Sequence, residues 1–268
     1  MIYIGIPARD EAATAGILLW KIRKVMAELG RDYEILLLDD ASDDGTAEAV
    51  ERYRRALPVR VRRHEARRGY AASMEALARA AVAESAYPKR DVLVLLQADF
   101  SDDPAQIVPL VKRIEGGADV VIAGARNGPR GLAWARRFCV WARARLSLPP
   151  GIGDPLSGFR AYRIFVLKRA LDTAAREPLL RTEGRASNVE LLAWVAPFAR
   201  RVDEEPAALR RDRLQRPARF RGGRLWRDLL RLYLRPVRFE GTPAPAPSRW
   251  RTHPRARGGG SRKRRRVG

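Results

Sequence analysis

The stretch LLQADFSDDP, residues 95–104, closes an apolar run that begins at Asp91 (Asp91-Val-Leu-Val-Leu-Leu) and then turns abruptly polar. A short, continuous apolar run reads as a strand buried on both faces, as in the interior of a parallel sheet. Gln97, Asp99, Asp102 and Asp103 follow within seven residues, in a chain whose formal net charge is +22. Acidic residues gathered where a hydrophobic strand ends, in so basic a protein, point to chemistry at that end.

Working outward, short apolar runs alternate with helical periodicity. IYIGI (2–6) is a predicted strand, followed by a helix over 11–29 that Gly30 caps. EILLLDD (34–40) is a second buried strand and 46–57 a helix; VRVRR (59–63) alternates like an edge strand, and 70–84 is an alanine-rich helix. A strand over 91–97, a helix over 104–115 and a strand over 119–126 complete the pattern. This order predicts an α/β fold with a doubly wound, mostly parallel sheet and helices on both faces. Beyond Arg130 the sequence predicts a helix to about residue 146, a Pro/Gly break at 149–155 and mixed elements to 206. No internal repeat is present. The expected organisation is one domain over 1–206, a basic amphipathic helical extension over 207–240, and a disordered Pro-, Gly-, Ser- and Arg-rich tail over 241–268.

Length and composition narrow the class. The 268 residues, 46% hydrophobic, suffice for a real core. No apolar run approaches the ~18 residues of a membrane span, and MIYIGIPARDEAA lacks the pattern of a signal peptide. A lone cysteine, Cys139, excludes an internal disulfide and a cysteine-rich metal site, and is expected in the core. These features predict a cytoplasmic protein. Residues 207–268 hold twenty Arg or Lys against three acids, +17 of the total, which leaves +5 for the first 206. The basic character therefore belongs to the C-terminal quarter and does not mark the whole chain as a nucleic-acid binder.

In parallel α/β sheets ligands bind beyond the carboxyl ends of the strands. The polar clusters fall there: Pro7-Ala8-Arg9-Asp10-Glu11, Asp39 to Thr46, Arg67-Arg68-Gly69-Tyr70, Gln97-Ala98-Asp99 and Gly124-Ala125-Arg126. Helix capping accounts for a single Asp or Ser, but not for paired carboxylates at successive strand ends. No Gly-x-Gly-x-x-Gly follows the first strand and no Gly-Lys-Ser/Thr loop occurs, which excludes the usual dinucleotide and phosphate-loop sites. Strand-end carboxylates suit two tasks. They accept hydrogen bonds from a base or ribose, and they hold Mg²⁺ or Mn²⁺ against a diphosphate.

Four segments, in order and covering roughly residues 1–206, resemble glycosyltransferase family 2. IPARDEA is similar to its IPAYNEE opening, LLLDDASDDGT to VDDGSTDGT, and QADFSDDP to DADLQHPP. GDPLSGFRAYR (153–163) resembles the DxTSGFRAYR of the branch containing dolichol- and polyprenyl-phosphate sugar synthases. The resemblance implies a GT-A fold, a GDP- or UDP-linked sugar donor, Mg²⁺ or Mn²⁺, and inversion at the anomeric carbon. It places Pro7, Ala8, Asp10 and Glu11 in the nucleotide pocket and Asp39 and Asp40 on base and ribose. Gln97, Ala98 and Asp99 take the place of the metal-binding Asp-x-Asp, with Asp99 the metal ligand and Gln97 beside it. Arg126, with Ser157, Arg160 and Arg163, faces the sugar diphosphate or acceptor phosphate; Asp154 meets the sugar or orders the loop.

The sequence departs from the family pattern in three places. Gln97 replaces the leading Asp of the metal motif, with Asp102 and Asp103 close enough to compensate. Arg67-Arg68-Gly69 replaces Asn-x-Gly, and Arg68 can reach a phosphate. The later acceptor loop is only echoed in LRRDRLQRPAR (209–219), where Arg211 or Arg213 takes the family arginine's place. A polyprenyl-phosphate acceptor is already an anion and needs no general base. A saccharide or small-molecule hydroxyl would need one, drawn from Asp154 or Glu190. Glu190 reads equally as a solvent-facing helix residue, and neither His64 nor His253 is expected to be catalytic. The stretch 222–240 pairs Trp226 and several leucines with Arg224, Arg227, Arg231, Arg235 and Arg238. It reads either as a helix lying on an anionic membrane at the inner face of the cell membrane or as one packed on the main domain. No specific nucleic acid is expected. A non-catalytic nucleotide- or nucleic-acid-binding protein of the same fold is the alternative class.

Overall fold

The structure, a computed structural model, describes residues 1–125, 130–174, 178–207 and 222–237. Among these, seven strands form one sheet in the order β3-β2-β1-β4-β6-β5-β7. In chain order the strands are β1 (Ile2–Ala8), β2 (Tyr33–Asp39), β3 (Val59–Arg63), β4 (Val92–Leu95), β5 (Val120–Ala125), β6 (Arg160–Arg163) and β7 (Val202–Ala207). All pairs are parallel except those of β6, which runs antiparallel to both β4 and β5. This is the α/β GT-A architecture expected, and VRVRR is the edge strand its alternation predicts. Arg60 on that edge pairs with Glu34 and Glu84, charges that discourage further strand addition.

The period-2 pattern of the strands builds two core layers. Ile4, Ile6, Leu37 and Val94 face the layer covered by α1 (Ala12–Leu29) and α4 (Ile107–Glu115). Tyr3, Leu36, Leu93 and Ile122 face the other, covered by α3 (Tyr70–Glu84), α5 (Arg130–Trp141), α6 (Ile164–Thr173) and α7 (Arg185–Val195). Cys139 is buried in this second layer, as its sequence context indicates. The helix α8 (Gly222–Leu234) adds Leu225, Leu229 and Leu232 to the same layer, so it packs on the main body along one side.

Helix ends differ from the sequence reading where tertiary structure intervenes. α1 stops at Gly30, which adopts the left-handed conformation (φ 63°) and donates to Met26 O. The helix expected over 46–57 is the shorter α2 (Thr46–Glu51) followed by turns, and the one expected to reach 146 ends at Trp141. The strand expected over 91–97 pairs only over 92–95, because Gln97 donates its backbone N–H to Asp102 instead of a neighbouring strand.

The antiparallel β6 matters most for function. Its first residue, Arg160, lies opposite Leu95 and Ile122 near the carboxyl ends of β4 and β5. The segment 154–159 therefore enters the sheet from the same edge at which β1, β2 and β4 release their acidic loops. Replacing Leu93, fully buried on central β4, with alanine is expected to cost about 2–5 kcal/mol through lost burial and a residual cavity. Urea denaturation measures it.

Candidate active site at the strand ends

Two carboxylates are buried where β2 ends. The Asp40 Oδ1 accepts from the Arg68 N–H (2.8 Å) and sits 2.9 Å from His64 Nδ1, while Oδ2 accepts from the Gly69 N–H (2.9 Å). Burial pushes the Asp40 carboxyl up, but these hydrogen bonds outweigh it and hold the group below its ordinary value. Asp39 Oδ1 accepts from the Ser42 N–H and hydroxyl. Its Oδ2 has no hydrogen-bond partner, with Arg63 Nε 3.4 Å away. Ser42 Oγ in turn accepts from the Asp10 N–H, and Thr46 Oγ1 from the Glu11 N–H. The loops after β1, β2 and β3 are thus tied into one wall. Asp10, Ala41 and Phe100 all have φ near +55° to +60°, at the ends of β1, β2 and β4. Non-glycine residues held in this region mark a backbone fixed by its surroundings, a common feature of functional sites.

The loop after β4 supplies the opposite acids. Asp102 Oδ2 accepts the Gln97 N–H (3.0 Å) and Asp99 Oδ1 the Ser101 N–H (2.9 Å). Burial, and then the neighbouring Asp99 charge, push the Asp102 carboxyl up to about 7, against the opposing effects of the Gln97 N–H and Arg185. Among the described residues no three His, Cys, Asp or Glu side chains converge as a ready metal cage. A divalent ion held partly by substrate phosphates needs only one or two protein carboxylates, and the mutually repelling Asp99–Asp102 pair fits that demand.

An open cleft runs past Asp102, lined by Gln97, Asp103, Arg136, Asp154 and Arg185 among others. Arg136 of α5 pairs with the buried Asp154 (2.9 Å). Glu204 of β7 accepts from the backbone N–H groups of Gly153 and Asp154; a side chain at Gly124 would displace the Glu204 carboxylate from this position. At Gly158 a Cβ would meet the Tyr70 hydroxyl at 2.6 Å. Tyr70 also donates to Asn188 Oδ1 (3.1 Å), and burial raises its pKa. Burial likewise raises Glu183, although the N–H groups of Gly184, Ala71 and Tyr70 draw it back down. Glu183 thereby joins the approach to α7 with the start of α3.

The structure brings Asp10, Glu11, Asp39, Asp40, Gln97, Asp99, Asp154 and Ser157 to one edge of the sheet. Pro7 and Ala8 end β1, and the methyls of Ala8 and Ala98 pack in the core layer beneath. Arg68 is exposed, and its backbone is what Asp40 holds. Two motif arginines are corrected. Arg160 is fully buried, and its guanidinium donates to Asn188 O and Pro155 O (2.6 Å each), stapling the 154–159 loop to α7. Arg163 lies at the far end of β6, opposite Val92, and donates to the Lys89, Ile114 and Ala118 carbonyls, away from the cleft. Glu190 is neither solvent-facing nor aimed at an acceptor: it is buried and accepts from the Arg181 and Thr182 N–H groups and the Thr182 hydroxyl. Arg126, Arg211, Arg213, Arg238, His253, the 209–219 loop and the tail from 241 lie outside the described residues. Arg136, Arg185 and Glu204 escaped sequence reading because each comes from a helix or strand remote from every motif.

The glycosyl transferase family 2 model matches residues 3–171, well over half the chain, and the chain belongs to that family. Membership of that family identifies it as a glycosyltransferase. Among solved structures, it is similar to Mycobacterium tuberculosis glucosyl-3-phosphoglycerate synthase in complex with Mn²⁺, UDP-glucose and phosphoglyceric acid. That match has 20% identity and a TM-score of 0.62, and covers 88% of this chain and 81% of that one. Mannosyl-3-phosphoglycerate synthase from Rubrobacter xylanophilus matches with 17% identity and a TM-score of 0.61, covering 91% and 78%. S. aureus TarS 1-349 matches with 15% identity and a TM-score of 0.52, over 78% of this chain; the chain spans only 59% of that structure's length.

Replacing Asp40 with asparagine is expected to cost about 2–3 kcal/mol, since three charge-assisted contacts are lost at a buried site. The folded-state pKa of Asp40 lies below its ordinary 3.8, so its stabilisation is complete above that value and fades as pH falls through the folded pKa. The stability gap between wild type and variant should therefore narrow below about pH 4, a trend that urea melts across pH would record.

Proposed function

We propose that the protein transfers a hexose from a GDP- or UDP-linked sugar to a phosphate-bearing acceptor, polyprenyl phosphate, with Mg²⁺ or Mn²⁺ and inversion at the anomeric carbon. The observation that carries this reading is that one cleft is lined by both Asp102 and Asp103 and by Arg136 and Arg185. The acids suit the metal–diphosphate end of a nucleotide sugar, and the arginines suit a second anion. The two carboxylates first considered as a base, Asp154 and Glu190, are held respectively by Arg136 and by the turn before α7. An acceptor phosphate brings its own nucleophilic oxygen, so the cleft needs to position and stabilise charge more than to remove a proton.

In this reading the wall built on Asp39, Asp40 and Asp10 receives base and ribose, with Pro7 and Glu11 alongside. Asp99 and Asp102, with the Gln97 amide beside them, hold the metal, which when bound neutralises charge on the departing diphosphate. Arg185 and Ser157 bind the acceptor phosphate, Asp154 and Arg136 orient the sugar-facing loop, and Arg68 completes the basic side. Arg160 acts only by positioning residues 154–159. A polyprenyl acceptor sits in a bilayer, so the enzyme works peripherally at the cytoplasmic face of the membrane.

A second acceptor is favoured by one observation. Two of the similar structures are named for transfer to 3-phosphoglycerate, and one holds phosphoglyceric acid. Arg136 and Arg185 fit a small phosphorylated acid as well as a lipid phosphate. A hydroxyl acceptor of that kind would leave Asp103, on the same cleft, to act as base.

Incubating the protein with radiolabelled UDP- and GDP-hexoses, Mn²⁺, and either polyprenyl phosphate or 3-phosphoglycerate separates the two. The lipid reading predicts label in the organic phase, with Arg185→Ala raising the acceptor KM about tenfold or more and leaving the donor KM unchanged. Label confined to a water-soluble product would replace polyprenyl phosphate with the second acceptor.

A further inference from the structure

The faces of α5 and α8 that point away from the core carry an apolar surface that the transfer reaction does not use. Trp134 and Trp141 are 67% and 71% exposed, and Trp226, Leu230 and Leu234 are also exposed. Residues 134, 138 and 141 form one stripe of α5, and residues 226, 230 and 234 recur at four-residue spacing along one stripe of α8. Ring contacts join the two stripes: Phe138 meets Trp226 edge-on at 5.7 Å, and Trp141 stacks on Tyr233 at 5.8 Å. Exposed large apolar side chains that adjoin in this way mark an interaction surface.

The charge around this surface has a single sign. Every exposed charged side chain described on α5, α8 and the turn after each is an arginine: Arg137, Arg143, Arg145, Arg224, Arg227, Arg231 and Arg235. The one acid there, Asp228, is buried. Arg137 lies over Trp134 at 5.5 Å and Arg145 over Tyr233 at 5.8 Å, so cations and rings are interleaved. The sequence beyond α8 adds ten further Arg or Lys against one acid over residues 238–268.

We propose that this α5–α8 face docks on an anionic phospholipid surface, with the tryptophans and leucines entering the interface and the arginines meeting lipid phosphates. Tryptophan beside arginine is the side-chain pairing suited to the boundary between headgroups and acyl chains. No helix among the described residues is long and apolar enough to cross a membrane, so the contact lies along the surface. The same helix that carries Arg136 into the cleft turns Trp134 and Trp141 outward, which keeps the cleft next to the docked face. The inference stands on surface residues alone and holds whichever acceptor the cleft takes.

Co-sedimentation of the full chain with vesicles tests it. Vesicles of phosphatidylcholine alone should leave the protein in the supernatant, and vesicles with about one-third phosphatidylglycerol should pellet it, less so as salt rises. The triple variant Trp134→Gln/Leu230→Gln/Leu234→Gln should keep the wild-type melting temperature and bind the anionic vesicles about tenfold or more weakly. Should that variant not fold, Arg137→Gln/Arg231→Gln/Arg235→Gln tests the charged half, with the same loss expected. Wild-type protein that ignores anionic vesicles would overturn the proposal. Undiminished binding by a folded triple variant would also overturn it and assign the attraction to the basic tail. A wild-type dimer that the triple variant loses, seen by analytical ultracentrifugation, would give the face to a second copy of the chain instead.

Discussion

The need to satisfy two buried carboxylates governs the wall proposed to receive the nucleotide. Asp39 and Asp40 end a strand that is apolar on both faces, and burial without partners would be prohibitive for either charge. Asp40 is satisfied by drawing in the Arg68 and Gly69 N–H groups and His64, which fixes the turn into α3. Asp39 is met on one oxygen by Ser42, whose hydroxyl then receives the Asp10 N–H, and on the other by the Arg63 guanidinium 3.4 Å away. Three loops from separate strand ends are thereby held in one arrangement. The left-handed backbone at Asp10 and Ala41 is sustained by the same bonds.

The side proposed to take the acceptor depends on a different device. By running antiparallel between β4 and β5, β6 brings residues 154–159 to the edge where the parallel strands release their loops. Arg160 holds that segment from below through the Pro155 and Asn188 carbonyls, and Glu204 holds it from the side through Gly153 and Asp154. Gly124 and Gly158 leave room for these contacts. With the loop so supported, Arg136 and Arg185 line the same cleft as Asp102 and Asp103, and charge of both signs is available within one site.

The strands and the acidic strand ends were legible in sequence because the physics is local. A run such as EILLLDD has one stable use, and the helix over 70–84 falls on the residues its periodicity marks. What was not legible depends on long-range packing. VDEEPA carries no apolar pattern, yet it pairs with β5 as β7, partly because Arg113 and Arg201 neutralise its acids. Glu190 looked like a surface residue of α7, but that helix is buried on nearly every side and its carboxylate serves the preceding turn. Arg160 and Arg163 stand three residues apart in a recognisable motif; strand direction sends one beneath the loop and the other to the opposite end of the sheet. Gln97 removed a charge from the expected metal pair; the sequence offered Asp102 and Asp103 in its place, and the folded loop after β4 brings the Asp102 carboxylate onto the Gln97 N–H beside Asp99.

The central claim is that Asp99 and Asp102 hold a divalent ion together with a nucleoside diphosphate. Electron paramagnetic resonance of free Mn²⁺ measures this directly, because the aqueous signal disappears when the ion is bound. With protein alone the signal should be only weakly reduced, since two carboxylates form an incomplete site. Adding UDP or GDP should quench it well beyond what nucleotide alone achieves, and Asp99→Ala/Asp102→Ala should abolish that additional loss. Quenching that is the same with and without protein, or that survives in the double variant, would contradict the account.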